Sequence, residues 1–278
     1  MASSSVEVMI GGKHVSTEEL DDLRDAVCLL KWKSKDKSKQ WSGYGFYANV
    51  KLKTQGKNIN CIITIYDDIF LEVDEHGDDM VAVFHDESDG KEAFELSLVP
   101  FKLLAHGKRG ATLFVLRPLS GQTILTGQRF DYALIFIDES KMEGKDVKPI
   151  VADNSQLAVV QPNDKVYMIH HPGKMKKHYS EDTVTRVTEH SIKYHPNTLE
   201  GPPGSPVFVF KDSKFLLIAM HCNNKREGVL VSYILNHLDT PGGKICLYLC
   251  VFICTNFLVC PLTSPLYVSC HFPCYLKV

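Results

Sequence analysis

The feature that most constrains this chain is the length of its apolar runs. "AVCLLKW" (26–32), "GYGFYANVKL" (43–52), "NCIITIYDDIF" (60–70), "MVAVFHD" (80–86), "ATLFVLRPL" (111–119) and "FDYALIFID" (130–138) are rich in β-branched and aromatic residues and parted by turn formers. Most are too short for helices and suit half-buried strands. A polar connector, "ESKMEGKDVKPIVADNSQ" (139–156), separates them from a second series. That series reads "LAVVQPNDKVYMIHHPGK", "DTVTRVTEHSIKYHPN", "SPVFVF", "FLLIAMHC" and "GVLVSYIL". Turns recur about every eight to twelve residues, the spacing of sandwiches and barrels.

The expected fold is therefore all-β, with two six-stranded antiparallel barrels and a short helical turn at "SYILNHL" (232–238). Residues 1–20, small and polar, are expected to form a flexible arm. The two-barrel domain takes 21–238, its first barrel 21–140 and its second 148–238. Residues 239–278 are an apolar, cysteine-rich tail of different composition.

Cysteine usage divides the chain at the same place. Cys28, Cys61 and Cys222 sit in or beside apolar runs, where a buried thiol is expected. Cys246, Cys250, Cys254, Cys260, Cys270 and Cys274 crowd into the tail. The start "MASSSVEVMIGGKHV" lacks a secretory signal's basic flank and long apolar core, so a reducing cytoplasmic or nuclear compartment is expected. The longest uncharged apolar run of the tail, 245–260, is shorter than the roughly 20 residues of a spanning helix. Pro261 and Pro265 interrupt any extension. Three readings of the tail stay open: a membrane segment, a cysteine cluster, or residues outside the selected fold. Membrane association is expected, if at all, only through 245–278.

Net charge is −2 over 278 residues, so bulk electrostatics give no pull toward nucleic acid. The basic runs "KWKSKDKSKQW" (31–41) and "GKMKKHY" (173–179) read as solvated loops. No phosphate-cradling glycine loop, paired Cys-x-x-Cys knuckle or histidine pair at metal spacing is present, and no cofactor or metal is expected.

The stretch "GPPGSPVF" (201–208) puts two prolines and two glycines before a strand. With "YHPNT" before it and "FLLIAMHCNNKREGVLVSYIL" after it, it resembles the nucleophile region of the trypsin-like, chymotrypsin-fold serine peptidases, especially their intracellular members. The likeness runs from Gly43 to Leu238. In the register set by Gly204, Ser205 and Pro206, Pro203 takes the nucleophile's place, and Gly201 that of an oxyanion-hole glycine. "SGYGFY" (42–47) and "CIITIYDDIF" (61–70) resemble the turn and strand that lead to the general base, whose place Asp67 takes, with Asp68 beside it. "FDYALIFID" resembles the strand carrying the orienting carboxylate, here Asp131.

The resemblance thus implies a degenerate triad. Acyl transfer needs a hydroxyl, a base and N–H donors for the oxyanion. Proline has neither hydroxyl nor N–H, and a carboxylate with a pKa of about 4 is a weak base for a hydroxyl. The expectation is an inactive homologue that binds a peptide or protein between its barrels, with His195 and His221 near the bound chain. The alternative is an active endopeptidase using a displaced nucleophile, Ser205, with His195 or His221 as base. His170 and His171 are expected to be structural. The bland reading of each motif, a surface turn or a solvated strand end, also stays open.

Overall fold

The computed structural model describes residues 7–10, 13–33, 40–52, 57–65, 79–85, 91–98, 103–108, 125–128, 131–153, 160–170, 177–195, 202–222 and 226–239. Asp67, Asp68, His171, Gly201, the run 111–119 and the tail from 240 onward lie outside them. All described residues belong to one compact unit, Met1–Tyr248.

The chain opens where the sequence reading placed an arm. Strands β1 (Glu7–Ile10) and β2 (Lys13–Ser16) pair as a hairpin. Helix α1 (Thr17–Asp25) follows directly. Ser16 caps it, its Oγ accepting from the Glu18 N–H at 3.2 Å. Glu18 and Glu19 in the first turn and Arg24 in the last complement the helix dipole. The capping signal is legible in "STEEL", although the polarity of the segment argues for an arm.

The first half then supplies β3 (Val27–Lys33), β4 (Gln40–Leu52), β5 (Lys57–Thr64), β6 (Asp79–Phe84) and β7 (Phe94–Ser97). After them come β8 (Leu103–Lys108), β9 (Leu125–Gln128), β10 (Tyr132–Phe136) and, past the connector, β11 (Ile150–Asp153). They form one nine-stranded sheet in the order β7-β6-β3-β4-β5-β10-β8-β9, with β11 added to β4.

The expected first barrel is seen as this sheet, without its closure. Among the described residues no ladder joins the two ends of the sheet, because the outer edge of β8 is taken by β9 in parallel. A second parallel pairing, β11 on β4, was not anticipated either. It is possible because β4 is thirteen residues long and its β3 partner ends at Val27, opposite Phe46. Residues 48–51 on the same edge remain for β11.

The second half is the barrel that was expected. It closes β12 (Lys165–His170), β13 (His178–Val187), β14 (Ser191–Tyr194), β17 (Glu227–Leu230), β16 (Lys214–Cys222) and β15 (Pro206–Lys211) in that circular order. All six pairings are antiparallel. Helix α2 (Val231–Asp239) ends it, longer than the single turn expected.

Alternation sorts the barrel's side chains into two cores. Val166, Met168, Val207 and Val209 face inward with Val184, Ile192 and Tyr194. Tyr167, Ile169 and Phe208, one residue out of phase, join the first sheet's core with Phe46, Ile62 and Leu134. Strands buried on both faces read as continuous apolar runs, which explains "VYMI" and "VFV". The α2 residues Val231, Ile234, Leu235 and Leu238 complete this shared core. Cys28 and Cys61 are buried as expected, and Cys222 is only half-buried. Burial pushes the Cys61 thiol up, out of the reactive range.

Candidate functional site

The segment 202–206 lies where the two halves meet. Gly204 has φ +91°, and a Cβ there would stand 2.0 Å from the Tyr44 carbonyl oxygen and 3.4 Å from Thr64 Oγ1. Only glycine fits both the backbone conformation and the approach. Tyr44 lies on β4, and the Thr64 hydroxyl donates to the same Tyr44 carbonyl at 2.6 Å. The Pro203–Gly204 turn is therefore packed on the end of β5. Asp67, the residue expected at the general base's place, lies outside the described residues.

Asp131 arrives at the same place from a third direction. It precedes β10, whose Ala133 pairs with Thr64. The half-buried Cys222 thiol, at the end of β16, donates to the Asp131 carbonyl at 3.9 Å. Across the β15–β16 ladder, the Gly204 N–H donates to the His221 carbonyl at 2.9 Å, and the His221 N–H to the Ser205 carbonyl at 2.8 Å. The structure thus brings Asp131, Thr64, the Pro203 turn and His221 to one junction.

Ser205 and the two histidines differ in exposure. Ser205 is 0% exposed, and its hydroxyl donates to the Pro202 carbonyl at 2.7 Å. His221 is 3% exposed, its ring stacked on Tyr194 with centroids 6.0 Å apart. His195, at the end of β14, is exposed, and its backbone N–H donates to the Thr183 carbonyl at 3.0 Å. His170, 1% exposed, hydrogen bonds to Ser180 Oγ at 3.1 Å across the β12–β13 ladder, as a structural histidine would.

The turn is poor in donors. Pro202, Pro203 and Pro206 have no N–H, and the Gly204 N–H is spent on His221. Sequence reasoning missed Tyr194, which fills the barrel end beneath His221. A Cβ on Gly228 would come within 2.0 Å of the Tyr194 hydroxyl. Burial, then Cys222, Asp182 and Glu227, hold this phenol far above its usual range. The signal lay in "IKYH", where a tyrosine occupies an inward strand position. Among the described residues no group of three or more His, Cys, Asp or Glu could hold a metal ion. No described helix is long and apolar enough to cross a membrane.

No protein-family model matches the chain, and no curated protein matches it in sequence. Solved structures do match. The crystal structure of Deg5 aligns at 12% identity over 81% of this chain and 94% of its own, with a TM-score of 0.51. The serine endoprotease from Yersinia pestis aligns at 12% identity over 79% of this chain and 63% of its own, TM-score 0.45. The HtrA-type protease AlgW with tripeptide aligns at 10% identity over 81% of this chain and 64% of its own, TM-score 0.46. The chain thus spans a little under two thirds of the length of the latter two. At such identity the likeness is one of architecture, and it rests on Deg5: the chain shares the trypsin-like fold of that structure.

Proposed function

We propose that the protein is a catalytically inactive homologue of the trypsin-like serine peptidases, an intracellular module that binds an extended peptide or protein segment where its two halves meet. The observation that carries this reading is the turn at Pro203. Its backbone is fastened to Tyr44 through Gly204, and the side chain at the nucleophile's place has no proton to lose. A hydroxyl at 203 is what attack requires, and paired N–H donors are what the oxyanion requires. Loss of one such donor alone lowers the rate by about 100- to 1,000-fold.

Ser205 as a displaced nucleophile is opposed by its own hydrogen bond. Its proton lies on the Pro202 carbonyl inside the packed turn, and no solvent reaches it. His221, opposite it on the ladder, is buried against Tyr194. His195 is the exposed candidate for contact with a bound segment. We also take the first half to be a barrel in outline, since β7 and β8 are consecutive and only residues 98–102 separate them.

A fluorophosphonate probe and an activated ester test the reading on the full chain. The expected result is no covalent labelling and no turnover above background, unchanged in Ser205→Ala. Pro203→Ser is expected to remain inactive, because Asp67 is no substitute for an imidazole base. Labelling of wild type that disappears in Ser205→Ala overturns the proposal.

A further inference from the structure

A second groove lies between helix α1, strand β11 and the start of β16. It encloses a cavity of about 280 Å³, floored by Leu23, Ile150, Phe215 and Leu217. Val151 stands in its lining and is 55% exposed, one of two large apolar side chains so open to solvent among the described residues. The volume is at the lower end for small-molecule sites, roughly 300 Å³ and up, and suits one or two apolar side chains better than a cofactor.

Both walls carry half-used strand edges. Among the described residues β11 pairs only with β4, so its other edge has no ladder. Strand β16 pairs with β15 along its length but with β17 only from Ala219 onward. On its open stretch the Phe215 N–H points away from β15 and donates instead to Glu19 Oε1 of α1, at 3.1 Å. A side-chain carboxylate thus occupies the position of a neighbouring strand's carbonyl.

The charges around the groove are unevenly matched. Asp22 is held by Lys148 at 2.8 Å, and Asp153 by Lys51 at 3.2 Å. Glu19 is engaged with Phe215. Lys214 has no ion pair among the described residues, although it lines the same cavity. The site asks for backbone, an apolar group and an anion together.

We infer that this groove accepts an extended peptide by strand addition, with an apolar side chain in the cavity, an aspartate or glutamate beside Lys214, and Glu19 as the placeholder that the incoming strand displaces. The surface is separate from the junction at Pro203 and does not depend on the protein's being inactive. Its occupant is a protein segment, because main-chain edges recognise main chain.

The test is selection of a random dodecapeptide phage library on the full chain, with the enriched peptides synthesised, labelled and titrated by fluorescence polarisation. The expected binders pair a large apolar residue with a nearby acid. Lys214→Glu and Val151→Asp, both at exposed positions, are expected to weaken them about tenfold or more. Glu19→Ala is expected to tighten binding by freeing the Phe215 N–H, whereas Glu19→Gln, which keeps an acceptor, should bind as wild type does. A purely structural Glu19 would give the opposite sign. Thermal unfolding of each variant verifies folding. The inference is overturned by an absence of binders, by binders sensitive to His195→Glu but not to Lys214→Glu, or by weaker binding in a folded Glu19→Ala protein.

Discussion

The turn at Pro203 and helix α1 both tie the halves of this molecule together, and they do it by opposite means. At the turn the contact is backbone against backbone. Gly204 lies on the Tyr44 carbonyl so closely that no side chain fits. Around α1 the ties are polar and made by side chains. The Tyr179 hydroxyl donates to the Leu20 carbonyl at 2.6 Å, and Glu19 takes the Phe215 N–H. Lys148 meets Asp22, and Lys91 bridges Asp25 at 2.6 Å and Asp146 at 3.0 Å. The first junction is steric and indifferent to salt or pH; the second can be loosened by a proton, an ion or a competing strand. The Pro203 turn is rigid packing, while the surroundings of α1 hold the adjustable contacts.

The sharpest way to break this contrast is Gly204→Ala. The positive φ and the 2.0 Å approach to a backbone oxygen leave nothing flexible to yield. A loss of about 2–3 kcal/mol or more is expected in urea unfolding, equal at low and high salt. A well-tolerated alanine means that the turn is not the steric lock described.

Next comes Lys91→Met. Asp25 is 5% exposed, and Lys91 is its nearest cation, with Arg24 and His85 each at 3.8 Å. Removing one partner of a buried, charged hydrogen bond costs about 1–3 kcal/mol. Because Lys91 is itself 39% exposed, the lower end is expected, with a cost that shrinks at high salt.

The same cluster sharpens the comparison through pH. Burial, partly offset by Asp25 and reinforced by Lys91 and Lys177, holds His85 below its ordinary value of 6.5. The unfolded chain therefore takes up a proton here before the folded one does. The stability associated with neutral His85 is complete above pH 6.5, falls as pH drops below that value, and is gone below the folded pKa. Urea midpoints at pH 7.5 and 5.5 should show this decline in wild type and a smaller one in His85→Asn. Asparagine is chosen because residue 85 has φ +52°, a region it tolerates. Equal declines in both proteins remove His85 from the account.

The smallest effect is expected of Lys148→Ala. Its ion pair with Asp22 joins side chains 62% and 36% exposed, and such pairs contribute about 0.5 kcal/mol or less. A larger loss would mean that α1 depends on this contact more than its exposure allows.

Much of this was legible in the sequence, and for definite reasons. Strands such as "VCLLKWK" and "PVFVFK" were readable because burial on one or both faces forces apolar, β-branched runs of the right length. The place of the "GPPGSP" turn followed from its proline and glycine punctuation. Helix α1 carries mixed signals in the sequence, since a cap and two acids announce it while its polar surface argues for an arm. The parallel pairings of β9 and β11 were not legible, because four-residue strands carry no mark of their partner or direction. Tyr194 beneath His221, and the Ser205 proton on Pro202, are facts of side-chain placement that no spacing encodes.

By itself the sequence determined an all-β chain and which chemical groups stand in the "GPPGSP" turn, since strand patterning and the absence of a hydroxyl or N–H in proline are local properties. Only the tertiary structure decided that the second half closes into a barrel, that nine described strands of the first half share one sheet, and that Gly204 packs on Tyr44 and Thr64 while the Asp131 carbonyl lies at Cys222. It likewise left a half-paired edge beside Lys214. Those outcomes depend on which distant strands compete for each free edge, a contest settled by packing of the whole chain rather than by any residue's own preference.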